Sequence, residues 1–154
     1  MDLNQLIENW EGLAKKDPFW AVLTWPEKSG GRWTKEEFLN DGKKEVESVL
    51  IKLNSLNLLP NKYAMLDFGC GLGRLSYSFA EAFQQVQAID ISTTMISQAK
   101  KLCKTKTNIQ FFINPKDDLE ILQSESLDFV YTSLTLQHMK PEYAMKYLTE
   151  FYRL

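Results

Sequence analysis

The chain has 154 residues, 44% of them apolar and 25% charged, and a formal net charge of −2; this composition is that of one globular domain with a core of its own. The near-neutral balance offers no general attraction to nucleic acid or acidic lipid, and the basic run KKLCKTK at 100–106 reads as the solvated end of a helix. Cys70 and Cys103 lack metal-ligand spacing, no run reaches transmembrane length and the acidic N-terminus has no apolar signal core, so the expected setting is a reducing cytoplasm, with no membrane and no metal.

Apolar residues at helical spacing predict helices over 3–15 and 35–58, the second with Val46, Val49, Leu50 and Leu53 on one face. Between them, DPFWAVLTWPEKSGGRW (17–33) is interrupted by Pro18, Pro26 and Gly30–Gly31. Residues 1–59 therefore read as a helical cap. From residue 60 the pattern changes to short apolar strands alternating with helices: YAMLDF (63–68), RLSYSFAEAF (74–83), VQAID (86–90), TTMISQAKKLC (93–103), IQFFI (109–113), LDFVYTS (127–133) and PEYAMKYLTEFYRL (141–154). Such alternation implies right-handed crossovers and a parallel sheet, with residues 60–154 as the core unit.

Within LDFGCGLGR (66–74), Gly69, Gly71 and Gly73 sit between the first strand and the first helix of that core. A pyrophosphate, another nucleoside ligand or a tight turn would each call for such glycines. The spacing departs from the dinucleotide fingerprint G-x-G-x-x-G, because Arg74 stands where its third glycine would be. A nicotinamide-dependent oxidoreductase is disfavoured on that ground. The second strand ends in Asp90, where an acid can accept hydrogen bonds from both hydroxyls of a ribose, and Ser92 is placed to cap the following helix. Both Asp67 and Asp90 have a plainer alternative as capping carboxylates.

These residues resemble the class I S-adenosylmethionine-dependent methyltransferases. LDFGCGLGR is similar to the first motif of that family, AIDIS followed by TTMISQAK to the second, and SLDFVYTSLTLQHM to its fourth strand and following loop; the stretch from DPFWAVLTWPEKSGGRW to FLNDGKKEV resembles the helical cap of one bacterial subgroup. The resemblance implies a Rossmann-like αβα sandwich with a parallel sheet, S-adenosylmethionine as cofactor and transfer of a methyl group to a small-molecule acceptor. Asp67 would then hold the ligand's ammonium, the loop of Gly69, Cys70, Gly71 and Gly73 would receive the methionyl part beside a helix N-terminus, and Asp90 would hold the ribose. Ile91 and Met95 would pack on the adenine. The usual Gly-Asp after the third strand is replaced by Asn114-Pro115, so Asn114 with the backbone of Asp118 or Leu119 would contact the adenine edge, unless Asn114-Pro115 is only a turn.

Ser133 and Leu134 would line the sulfonium. His138, the only histidine, would act as a general base or merely orient its loop. Trp33, Phe38 and Gly42 would form a lid over the methyl donor, the other front-end aromatics packing the cap onto the sheet. Family members continue beyond FYRL into further strands. The resemblance therefore implies a sheet lacking strands 5–7, an incomplete acceptor half, and self-association or mobility along the uncovered fourth strand. A fragment that binds the cofactor without transferring its methyl group is the alternative function.

Overall fold

The computed structural model describes residues 2–154. Helix α1 spans Leu3–Lys16 and opens with a capping box, in which Asp2 accepts from the Gln5 N–H at 2.9 Å and the Gln5 side chain accepts from the Asp2 N–H at 3.0 Å. Asp17 ends it and caps a second helix, α2 (Pro18–Val22), inside the stretch that looks broken in sequence. One Asp17 oxygen accepts the Trp20 N–H and the other accepts those of Gly30 and Gly31 at 2.8 and 2.9 Å, so a single carboxylate gathers the proline- and glycine-rich segment. Helix α3, Lys35–Ser55, starts on a Thr34–Glu37 capping box and ends three residues earlier than its apolar pattern suggests.

The core elements follow in the expected order: β1 (Ala64–Phe68), α4 (Arg74–Phe79), β2 (Gln85–Asp90), α5 (Thr93–Leu102), β3 (Ile109–Ile113), β4 (Phe129–Tyr131) and α6 (Pro141–Arg153). All strand pairs are parallel and the sheet order is β3-β2-β1-β4, so the direction of winding reverses between β1 and β4. Helix α4 stops at Phe79, where the chain turns back and packs Phe83 edge-on against Phe79. Strand β4 is shorter than its apolar run because only Phe129–Tyr131 find partners, on Met65–Asp67.

Alternation along β1 sends side chains to two layers. Met65, with Val86 beside it in register, meets Val46, Leu75 and Phe79 from α3 and α4. Leu66, Phe68 and Ile89 face the other way, towards Leu119, Leu122 and Tyr147. Phe68 is clasped by Tyr147 and Phe151 of α6, with ring centroids at 4.5 and 5.0 Å. The result is the expected three-layer αβα arrangement. Among the described residues, no helix is long and apolar enough to cross a membrane.

Helix α1 reaches across to α5. Glu11 accepts from Ser92 Oγ at 2.8 Å, the Thr94 N–H at 3.0 Å and Thr94 Oγ1 at 2.6 Å, while Gln98 donates to the Ala14 carbonyl at 3.2 Å. Burial raises the Glu11 pKa, but these hydrogen bonds outweigh it and hold the carboxyl below its usual range. Its contribution is therefore present above the ordinary glutamate range and is lost as pH falls through the lowered value. Glu11→Ala should lower stability at pH 7.5 by about 1–2 kcal/mol. Hydrogen exchange should quicken over residues 3–16 but not over β1; unchanged exchange in α1 would show that these bonds do not dock it.

Candidate functional site

A cavity of about 690 Å³ opens outside the carboxyl ends of β1, β2 and β4. Parallel α/β sheets place ligand sites there because the loops diverge where the winding reverses. Its floor contains Asp67, Gly69, Cys70, Gly71, Asp90, Ile91, Met95, Asn114, Ser133 and Leu134, so one space collects residues from four separate loops. Its roof is made by α1 and α2, through Leu6, Trp10, Leu13, Trp20 and Val22. His138 stands at the rim, exposed, with its ring 5.3 Å from that of Trp10 in an edge-on contact.

The glycine loop is shaped by the chain itself. A Cβ on Gly69 would lie 2.2 Å from Thr135 Oγ1. At Gly71 the backbone is left-handed, with φ at +52°, and a Cβ would lie 2.9 Å from Val22 Cγ2 on the roof. Gly71 therefore makes room for α2 as well as lining the cavity. Gly73 does not line the cavity; it precedes α4 and packs against Cys103. The Gly69 and Cys70 N–H groups donate to the Ile89 carbonyl, and the Gly73 N–H to the Cys70 carbonyl. Helix α4 has only six residues, so the helix N-terminus expected to receive an anionic group is a minor contributor.

The two strand-end acids serve as caps and also face the cavity. Asp67, 2% exposed, accepts from Ser76 Oγ at 2.5 Å and from the Ser76 N–H, which ties the first turn of α4 to β1. Burial pushes its pKa from 3.8 up to about 6, against the pull of the Ser76 bonds and the Arg74 charge. Asp90 accepts the Gly71 N–H at 2.8 Å and the Ser92 N–H at 2.9 Å. Burial raises its pKa too, opposed by N–H groups of Ser92, Gly71 and Ile91 and reinforced by Glu11. Ser92 caps α5 as its position implies, accepting the Met95 N–H at 3.1 Å. Cys70 lines the cavity, but burial holds its thiol well above the usual range, so it offers no thiolate nucleophile.

Several expected site residues lie elsewhere. Phe38 is fully buried, and Trp33 donates its indole N–H to the Leu23 carbonyl at 3.2 Å; both belong to the core under the roof and neither lines the cavity. Gly42 lies where α3 crosses α4, and a Cβ there would come within 2.6 Å of the Arg74 carbonyl oxygen. Its missing side chain serves helix packing, and the covering role expected of this segment falls to α1 and α2. Asp118 and Leu119 also lie outside the cavity lining, Leu119 being core. Asn114 lines the cavity, yet its amide donates to the Asp118 carbonyl at 2.6 Å and its oxygen accepts the Lys116 N–H at 3.4 Å, the turn alternative. Of the roof residues, Trp10 and Trp20 belong to the front-end aromatics that the sequence singles out, whereas Leu6 and Leu13 show only the apolar stripe that any packed helix shows.

A parallel sheet of this order, with an acid ending each of β1 and β2 and a cavity beyond them, defines a Rossmann-like ligand-binding domain. The chain matches the Methyltransferase domain family over residues 65–154 and belongs to it. It is similar to a probable S-adenosylmethionine-dependent methyltransferase of Saccharomyces cerevisiae, at 32% identity over 46% of this chain and 25% of that protein. Its fold is similar to that of magnesium protoporphyrin IX methyltransferase from Synechocystis, solved with bound S-adenosylhomocysteine (TM-score 0.67, 22% identity, 97% of this chain and 66% of that one). It is also similar to phosphoethanolamine N-methyltransferase 1 of Haemonchus contortus, solved with phosphoethanolamine and S-adenosylhomocysteine (TM-score 0.56, 19% identity, 80% of this chain and 31% of that one). The chain thus spans about a quarter of the yeast relative and a third of the nematode enzyme.

The raised pKa of Asp67 has a definite sign. Between its ordinary 3.8 and about 6 the folded protein holds a proton that the unfolded chain has released, so stability falls as pH rises through that window. Asp67→Asn removes the buried charge and keeps an oxygen for Ser76. It should stabilise the protein at pH 7.5 by about 1–3 kcal/mol, with the gain fading towards pH 4. Thermal melts across pH that show no gain at neutral pH would mean that Asp67 is not a strained carboxylate.

Proposed function

We propose that this chain binds S-adenosylmethionine in the cavity and acts as a methyltransferase on a small-molecule acceptor. The observation that carries this reading is the convergence of Asp67, the glycine loop, Asp90, Ile91, Met95, Ser133 and Leu134 on one cavity beneath an apolar roof. The donor set suits the ligand's chemistry. S-adenosylmethionine carries an ammonium and a sulfonium, which favour a site with two carboxylates, and a nucleoside, which needs an apolar slot and a ribose acceptor. Magnesium protoporphyrin and phosphoethanolamine, named for the enzymes of similar fold, support a small acceptor as the class without selecting one.

When bound, S-adenosylmethionine supplies an electrophilic methyl group. Asp90 Oδ2 accepts the Gly71 N–H and Oδ1 the Ser92 N–H, and the carboxylate keeps acceptor capacity for a ribose hydroxyl. The Asp67 carboxylate is placed to take the ammonium, and Ile91 and Met95 to flank the adenine. The roof side chains Leu6, Trp10 and Val22 exclude water from the reacting centre. Methyl transfer depends mainly on in-line positioning in a dry site, so a dedicated proton acceptor is not required. His138, held against Trp10 at the rim, is assigned to orienting the acceptor side of the cavity.

Calorimetry with S-adenosylhomocysteine and with NAD tests the reading. The first should bind and the second should not. Asp90→Ala should weaken S-adenosylhomocysteine binding by about 1.5–3 kcal/mol, the scale of hydrogen bonds to a charged group. Preference for NAD, or full affinity in a folded Asp90→Ala variant, would sink the assignment; binding without transfer to any acceptor would instead favour the binding-only alternative.

A further inference from the structure

The sheet order β3-β2-β1-β4 leaves β3 at an edge, and its register on β2 fixes which of its main-chain groups are free. In a parallel ladder, alternate residues of a strand bond a given neighbour and those between them point away from it. The Asn108 carbonyl accepts the Val86 N–H at 2.9 Å and the Asn114 N–H donates to the Asp90 carbonyl at 3.0 Å, so the even-numbered residues from 108 to 114 bond β2. The N–H and C=O groups of Ile109, Phe111 and Ile113 therefore point out of the sheet, and no hydrogen bond from a described residue reaches them. The strand itself is anchored on both faces: Ile109 and Phe111 pack on the cluster that includes Leu72 and Leu102, and Phe112 on that of Leu66 and Ile89.

Beside this edge lies a groove of about 480 Å³, floored by Ile109, Phe111 and Phe112 and bordered by Lys100, Lys104 and Lys106 from the end of α5 and the turn that follows it. No acid lines it among the described residues. Lys106 is engaged by Glu81 at 2.8 Å and lies over the Tyr77 ring, whereas Lys100 and Lys104 are exposed and have no acidic partner among the described residues. Lysines here offset the α5 dipole, and lysines beside a strand edge deter pairing. Such deterrence is selective. It costs a neutral strand the desolvation of the ammonium groups and sets lysine against lysine in a second copy of this edge, but it favours a strand that brings carboxylates.

We propose that the β3 edge is a docking site for an extended acidic segment of a partner protein, which adds to the sheet as a further strand. A polypeptide matches this edge because donors and acceptors recur along both at about 6.6 Å, two residues of strand rise. A nucleic-acid backbone offers acceptors to the lysines but no ladder of donors to the carbonyls. Carboxylates on the α5 side of the added strand meet Lys100 and Lys104, and apolar side chains on its other side meet Phe112. None of the groove residues lines the cavity described above, so the docking site stands independently of the cofactor reading.

Fluorescent peptides of about ten residues test this by anisotropy. One alternates glutamate and valine, one alternates lysine and valine, and one is the glutamate peptide N-methylated throughout, which keeps the charges and cannot donate to a strand. The glutamate peptide should half-saturate the protein below about 1 mM and the other two should bind at least about tenfold more weakly. It should also slow hydrogen exchange at the Ile109, Phe111 and Ile113 amides and leave those of Gln110 and Phe112, already bonded to β2, unchanged. In the variant K100Q/K104Q, whose changes fall on exposed side chains, affinity for it should drop at least about fivefold. Binding that ignores N-methylation or leaves the edge amides unprotected is attraction to lysines alone and overturns the proposal. Unchanged affinity in the variant, tighter binding of an oligothymidylate of equal charge, dimerisation through β3, or no binding of the glutamate peptide overturns it as well.

Discussion

The carboxylate of Asp90 holds the two halves of the site together. One oxygen takes the Gly71 N–H and the other takes the Ser92 N–H, so the loop leaving β1 and the turn entering α5 are bonded to the same side chain at the end of β2. From Ser92 the connection continues, because its hydroxyl caps α5 and also donates to Glu11 on the roof. Floor and cover therefore share a continuous path of hydrogen bonds. Each link is partly withdrawn from water, where an unpaired polar group costs more than a paired one gains, and this favours the complete arrangement over any partial one.

A second constraint sets the opposite wall. Helix α3 can approach α4 closely because Gly42 presents no side chain to the Arg74 backbone, and the approach brings Asp41 and Glu45 onto the guanidinium. Glu45 also accepts from the Tyr131 hydroxyl at 3.0 Å, extending the contact to β4. A buried ion pair of this kind is weak evidence for stability, since desolvation offsets much of the attraction. Its clear effect is geometric: the guanidinium ties two turns of α3 to the start of α4. Asp67 shows a comparable tension, with a buried carboxyl whose ionisation is resisted by its surroundings, as is common where a site awaits an opposite charge.

Local chemistry carried much of this into the sequence. Strand alternation, the glycine loop, Asp67 and Asp90 at strand ends and the Ser92 cap all depend on residues a few positions apart, and all were legible. The capping alternatives weighed for Asp67, Asp90 and Asn114 are also real hydrogen bonds in the fold, so capping and facing the cavity are compatible roles. The covering segment was misplaced for the opposite reason. Trp33 and Phe38 are as aromatic as Trp10 and Trp20, and composition alone does not separate a side chain that packs a core from one that roofs a cavity.

What the sequence by itself determined is the alternating strands and helices from residue 63 onward, the parallel sense of the sheet and the family to which the chain belongs, because periodicity and short motifs are governed by contacts within a turn or a strand. Tertiary structure decided what each glycine makes room for, which helices cover the cavity and what Arg74 is bonded to. Gly71 meets Val22, Glu11 meets Ser92 and Thr94, and Arg74 meets Asp41 and Glu45. Those pairs lie tens of residues apart, and their meeting is set by how amphipathic helices pack on the sheet, a property of surfaces in three dimensions that no local pattern encodes.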